Sequence, residues 1–128
     1  YQFGNILDAE GIRDYDCLVT NWGADYPDPS ANLDPLFNIA NIGAGGYNCA
    51  AYSNETVDSL LNQAVTTTDE SQRMELLFQA CDIIVEDEPY YVYNYTKGFA
   101  AFNKNWSLGD MNYTCAWDWN FKDVVYNG

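Results

Sequence analysis

The sequence contains no histidine. That removes the commonest general base, the usual partner of a nucleophilic serine or cysteine, and the preferred zinc and copper ligand, so most hydrolase schemes lose their central residue. Basic residues are scarce as well: five Lys and Arg stand against 19 Asp and Glu, a formal net charge of -14. Such a chain repels phosphate backbones and anionic headgroups, which argues against nucleic acid and membrane surfaces as partners. No apolar run approaches the ~20 residues of a membrane span, and no basic stretch leading into an apolar one opens the sequence. The first residue is Tyr1 rather than Met, as expected of a piece of a longer protein.

What is present suffices for a core. With 128 residues, 48% hydrophobic and 16% aromatic, the expectation is a single domain over 1–128, and disorder is excluded as a global description. Cys17, Cys49, Cys81 and Cys115 are spaced 32, 32 and 34 residues apart, with no C-x-x-C pair to suggest zinc or a redox motif. They allow three disulfide pairings or none. Cys17 and Cys81 read as small buried hydrophobes, whereas Cys49 and Cys115 fall in loops, where a disulfide between them is open.

The order of elements points to an α/β layer structure, a mixed sheet flanked by helices. Residues 1–13 carry Phe3, Ile6 and Leu7 at helical spacing and close at Gly11. The run Tyr15–Trp22 is apolar in its middle and predicts a buried strand. Gly23, Pro27 and Pro29 then forbid regular structure and make a shaped loop at the strand's end. A short apolar piece around Leu33, Leu36 and Phe37 leads to a connector, Gly43 to Gly46, whose glycines permit positive φ. Ser53 or Asn54 is expected to cap a helix with Val57, Leu60, Leu61 and Ala64 on its apolar face, and Asp69 with Gln72 to cap a second. The second helix is expected to bury Met74, Leu77, Cys81, Ile84 and Val85 and to end at Glu86-Asp87-Glu88-Pro89. Tyr90–Thr96 reads as a strand, Lys97-Gly98 as a turn and Phe99–Asn103 as its antiparallel neighbour. The aromatic tail from Trp106 through Trp117, Trp119 and Phe121 reads as loop and short strand.

Trp22, Asp25 and Tyr26 gather where a buried strand opens into the proline-rich loop, and in open α/β sheets such ends are where ligands bind. A carboxylate between aromatics suits a cation on an apolar body, such as an α-amino group. The competing reading has Asp25 capping its own turn and Trp22 filling the core. Asp25 and Asp28 also form a candidate acid pair of the glycoside-hydrolase kind, which requires one carboxyl with a raised pKa. No calcium loop is present, and the acids Asp16, Asp25, Asp28 and Asp34 fit a solvated face better than a metal site. No cofactor or metal is therefore expected.

These residues also resemble a family. Tyr15-Asp16, Trp22-Gly23-Ala24-Asp25-Tyr26-Pro27-Asp28-Pro29 and Leu33-Asp34-Pro35-Leu36-Phe37 are similar to a loop of the solute receptors of ABC importers for oligopeptides, dipeptides and nickel, bacterial extracellular solute-binding protein family 5. The likeness runs on through Asn48, Tyr52-Ser53-Asn54, Val57-Asp58, Leu60-Leu61, Thr68-Asp69 and Gln72-Arg73 to Glu86-Asp87-Glu88-Pro89, covering about residues 13–105. It implies part of one lobe of a periplasmic-binding-protein-like (type II) fold, the later part of the C-terminal lobe, with the N-terminal lobe elsewhere in the same chain.

The resemblance further implies an extracytoplasmic, non-enzymatic receptor, periplasmic or a Gram-positive cell-surface lipoprotein. Such a receptor delivers peptides to the permease subunits of an ABC transporter. Peptide-binding members hold the ligand's α-amino group with an aspartate at the position of Asp25; Trp22 and Tyr26 would line the adjacent wall and Asn48 would reach the cleft. Asp58 and Arg73 match positions expected to form helix-surface ion pairs. Nickel chelates, heme, sugars and opines are the alternative ligands within the family. The cysteines, the glycine-rich connector and the region after Trp106 depart from its pattern.

Overall fold

The computed structural model describes residues 14–43, 45–95, 97, 101–107 and 121–128. In chain order they form helix α1 (Ser30–Phe37), a 3-10 turn (Ile39–Asn41), helix α2 (Glu55–Thr66), helix α3 (Glu70–Asp87) and strands β1 (Trp106–Ser107) and β2 (Val125–Tyr126). They group into two compact units: Asp28–Tyr91 with the segment up to Gly23, and Val92–Gly128 with Ala24–Pro27.

The first unit is built on α2 and α3, which start where their caps dictate. The Asn54 side chain accepts hydrogen bonds from the backbone N–H of Thr56 and Val57, and that of Asp69 accepts from Gln72. Each cap satisfies donors that the first helical turn leaves without an internal partner. Only residues 67–69 separate the two helices, so they fold back on each other as a helical hairpin. Val57, Leu61 and Ala64 of α2, spaced four and three apart, meet Leu77, Ala80 and Ile84 of α3, and Leu33 of α1 closes the cluster. Helix α3 stops as Glu88 turns into the left-handed region, φ 45°, with Pro89 behind it.

Helix α1 is short and carries Pro35 in its interior. Its carboxyl end passes through Asn38, which is buried and whose side chain accepts from the Ala40 N–H to start the 3-10 turn. The connector that follows is a tight turn: Gly43 has φ 103°, and a Cβ on Gly46 would sit 2.1 Å from the Asn41 carbonyl oxygen. Only glycine admits that approach.

Several expectations are corrected. Tyr15–Trp22 is not a strand, Cys17 is exposed rather than buried, and Val19 is 70% exposed. Tyr90 to Tyr95 likewise lies outside any sheet, with Tyr91 88% exposed. A strand needs a neighbour to take its backbone groups and cover its apolar side chains, and neither run finds one among the described residues. The expected mixed sheet is therefore not seen among them; the sheet that is present pairs β1 and β2 antiparallel, Trp106 opposite Tyr126 and Ser107 opposite Val125. The described chain is helix-rich. Val85, expected on the buried face of α3, is 67% exposed, and Ala80 is buried instead. The expected helix end over 1–13, the Lys97-Gly98 turn, the first two residues of the Phe99–Asn103 strand, Trp117, Trp119 and the Cys49–Cys115 pairing involve residues outside those described, while residues 101–103 are described and lie in no strand.

Candidate functional site

The loop from Trp22 to Pro29 has two flanking residues, Trp22 and Asp28, tied within the first unit. At its start the Trp22 indole N–H donates to the Ala31 carbonyl oxygen at 3.2 Å. In a regular helix that carbonyl would take the N–H of residue 35, but Pro35 has none, so the sequence itself leaves an acceptor for the indole. The Trp22 ring also tilts against Tyr47, with centroids 5.0 Å apart.

At the other end Asp28 does two jobs with one oxygen. Its Oδ1 accepts from the Ser30 backbone N–H at 2.8 Å, opening α1, and from Arg73 Nη2 of α3 at 2.6 Å. Arg73 Nη2 also lies 3.4 Å from Ser30 Oγ, and Nη1 lies 3.6 Å from Glu70 Oε1. The Arg73 guanidinium, aided by the Ser30 contacts and opposed by burial, holds the Asp28 carboxyl well below the usual carboxylate range. A carboxylate kept charged in this way cannot be the protonated acid of a glycoside-hydrolase pair, and the oxygen that an ionised partner would use is already taken by Arg73 and the Ser30 N–H.

Between the two ties Asp25 and Tyr26 are exposed, in the segment that groups with the second unit. Asn48 is 1% exposed, and its amide is engaged by the chain's own backbone. Nδ2 donates to the carbonyls of Asn38 at 3.1 Å and Tyr52 at 2.9 Å, while Oδ1 accepts from the Tyr52 N–H at 3.0 Å. It brackets the turn between the 3-10 segment and α2. Asp58 is not half of an ion pair among the described residues; its Oδ1 accepts from the Ile39 N–H at 2.9 Å. Arg73, expected to pair along a helix surface, does so with Glu70 and also reaches Asp28 at the end of the loop.

Two further features lie in the first unit. The Tyr52 hydroxyl donates to Asp87 Oδ2 at 2.6 Å, and Asn54 Nδ2 to the same oxygen at 3.0 Å. Burial and the Asp87 carboxylate push the Tyr52 phenol up to about 12, and the Tyr52 hydrogen bond lowers Asp87. A cavity of about 580 Å³ lies between Tyr15–Leu18, Cys49–Ala51 and Pro89–Tyr90. Its walls include none of Trp22, Asp25, Tyr26 and Asn48. Among the described residues no group of three or more Cys, Asp or Glu is arranged to hold a metal, and no helix is long and apolar enough to cross a membrane.

The chain is 38% identical over 100 residues to the "probable D,D-dipeptide-binding periplasmic protein" of Escherichia coli, a match covering 77% of this chain and 19% of the relative. It is 34% identical over 85 residues to heme-binding protein A of Haemophilus influenzae, covering 66% and 15%, and 32% identical over 108 residues to a glutathione-binding protein of Escherichia coli, covering 81% and 20%. The chain belongs to the family of extracytoplasmic solute-binding proteins that groups these receptors, and it spans about a fifth of their length. No family model matches it, and no solved structure does.

Proposed function

We propose that this chain is the later part of the C-terminal lobe of a two-lobed, type II periplasmic-binding-protein-like receptor that captures short peptides outside the cytoplasm and hands them to the permease subunits of an ABC importer. The observation that carries this reading is the Trp22-x-x-Asp25 loop in a chain 38% identical over 100 residues to the "probable D,D-dipeptide-binding periplasmic protein". Asp25 anchors the ligand's α-amino group, Trp22 and Tyr26 line the neighbouring wall, and Asn48 contributes by holding the turn it brackets. No chemistry is performed on the ligand. Specificity comes from closure of two lobes around an anchored backbone, with loosely filled side-chain pockets.

The anchoring pair is charge-assisted and shut away from water in the closed receptor. Removing one partner of such a pair costs ~2–5 kcal/mol. A thermal shift of the full-length protein against pooled short peptides, offered with free and with acetylated N-termini, tests the reading. A rise with the free amines alone is expected. A rise with heme instead, the ligand named for one of the relatives, would replace peptide by a second reading within the same family.

A further inference from the structure

We propose that Trp22 and Arg73 clamp the two ends of the ligand loop and thereby fix Asp25: Arg73 is a positioning residue that does not touch the ligand, while Trp22 ties the loop through its indole N–H and keeps its place in the wall. The proposal rests on the peptide-binding reading of Asp25 and adds to it the device that aims the carboxylate.

Five residues, Gly23 to Pro27, lie between the two ties. A loop that short, with Pro27 and Pro29 already limiting its φ angles, has few conformations left once both ends are held. The first tie exists because of a proline: Pro35 leaves the Ala31 carbonyl without its helical donor, and the Trp22 indole takes the place at 3.2 Å. The second exists because of a scarce cation. Arg73 is one of five basic residues in the chain, and its guanidinium lies 2.6 Å from Asp28 while also approaching Ser30. Ala31 and Ser30 are consecutive residues of α1, so both ends of the loop converge on one helical turn, and that turn is fixed to α3 through Arg73. Both partners of the ion pair are largely covered, with side chains 19% and 25% exposed. It is therefore less screened by solvent than an ordinary surface pair. Preorganising a charged anchor in this way reduces the ordering that the ligand would otherwise have to impose.

The test uses the full-length receptor with two readouts: amide hydrogen exchange in the loop, and calorimetric affinity for the dipeptide Ala-Ala and its N-acetyl form. In Arg73→Met, exchange at residues 24–26 and 28 is expected to rise at least tenfold with α2 unchanged. Affinity for Ala-Ala should fall about tenfold, equivalent to about 1.4 kcal/mol. The preference for the free amine should persist, because Asp25 is intact. Arg73→Lys, which keeps the charge but not the planar fork, should recover part of the affinity. Leu77→Ala, a core truncation away from the loop, should lower the melting temperature and leave affinity within twofold. Loop exchange unchanged in Arg73→Met overturns the clamp; so does faster exchange with affinity within twofold of wild type, or a loss in Leu77→Ala as large as in Arg73→Met. If wild-type protein does not bind Ala-Ala, the peptide reading fails separately, and the exchange data alone decide whether the clamp exists.

Discussion

Val57, Leu61 and Ala64 of α2 are buried against Leu77, Ala80 and Ile84 of α3, whereas Val19 in one extended run, and Tyr91, Val92, Tyr93 and Tyr95 in another, lie open to solvent. Composition does not separate these regions; the source of their backbone hydrogen bonds does. A helix closes its own N–H and C=O groups and needs only a neighbour for one face, while a strand must borrow both from elsewhere in the fold. The helical hairpin is thus specified by residues 54–88 themselves. The extended runs depend on chain they do not contain.

That contrast can be broken first at its strongest point. Leu61→Ala removes a side chain that is 1% exposed and should cost ~2–5 kcal/mol in urea unfolding of the full-length protein. Val19→Ala, 70% exposed, should stay within about 0.5 kcal/mol; similar losses at both sites would show that the extended run is packed in the whole receptor. Next is Asn48→Ala, which removes the partner of the Tyr52 carbonyl and N–H and one of two donors to the Asn38 carbonyl, which keeps the Asn41 N–H, and should cost ~1–3 kcal/mol. A neutral result would mean that water replaces the amide. Asn54→Ala removes the cap of α2 and should cost about 1 kcal/mol, read in the same unfolding assay.

The smallest expected effect is a pH dependence. Asp28 titrates below its unfolded range because of Arg73, so its contribution is present above about pH 4 and is lost as pH falls through that range and below. The stability difference between wild type and Arg73→Met should therefore shrink in acid. A difference that stays constant from pH 7 to about pH 2 would remove Asp28 as the partner that matters.

Much of the hairpin was legible in the sequence because its signals are local. Asn54, the Asp69–Gln72 box and the Glu88-Pro89 stop lie within four residues of what they govern, and the spacing of Leu61 and Ala64 names their face. Val85 misled because an apolar residue one position beyond Ile84 rotates off the buried stripe. The loop itself was legible as a motif, but its ties were not: Asp28 and Arg73 are 45 residues apart, and helical periodicity carries no information across that distance. One sign was present. A proline inside α1 leaves the carbonyl four residues earlier in need of a donor, and Trp22 stands nearby in sequence. The Asn38 and Asn48 brackets had no comparable sign, since a buried asparagine looks like any other polar loop residue until its partners are known.

On the proposed reading Asp25 anchors an amine. Its most direct test is calorimetry of the full-length receptor and of Asp25→Asn with a free and an N-acetylated dipeptide. Wild type should prefer the free peptide by about 30-fold or more, in keeping with the ~2–5 kcal/mol of a desolvated charge pair, and Asp25→Asn should bind both forms equally and weakly. An unchanged preference in Asp25→Asn would contradict the account and move the anchor to another residue.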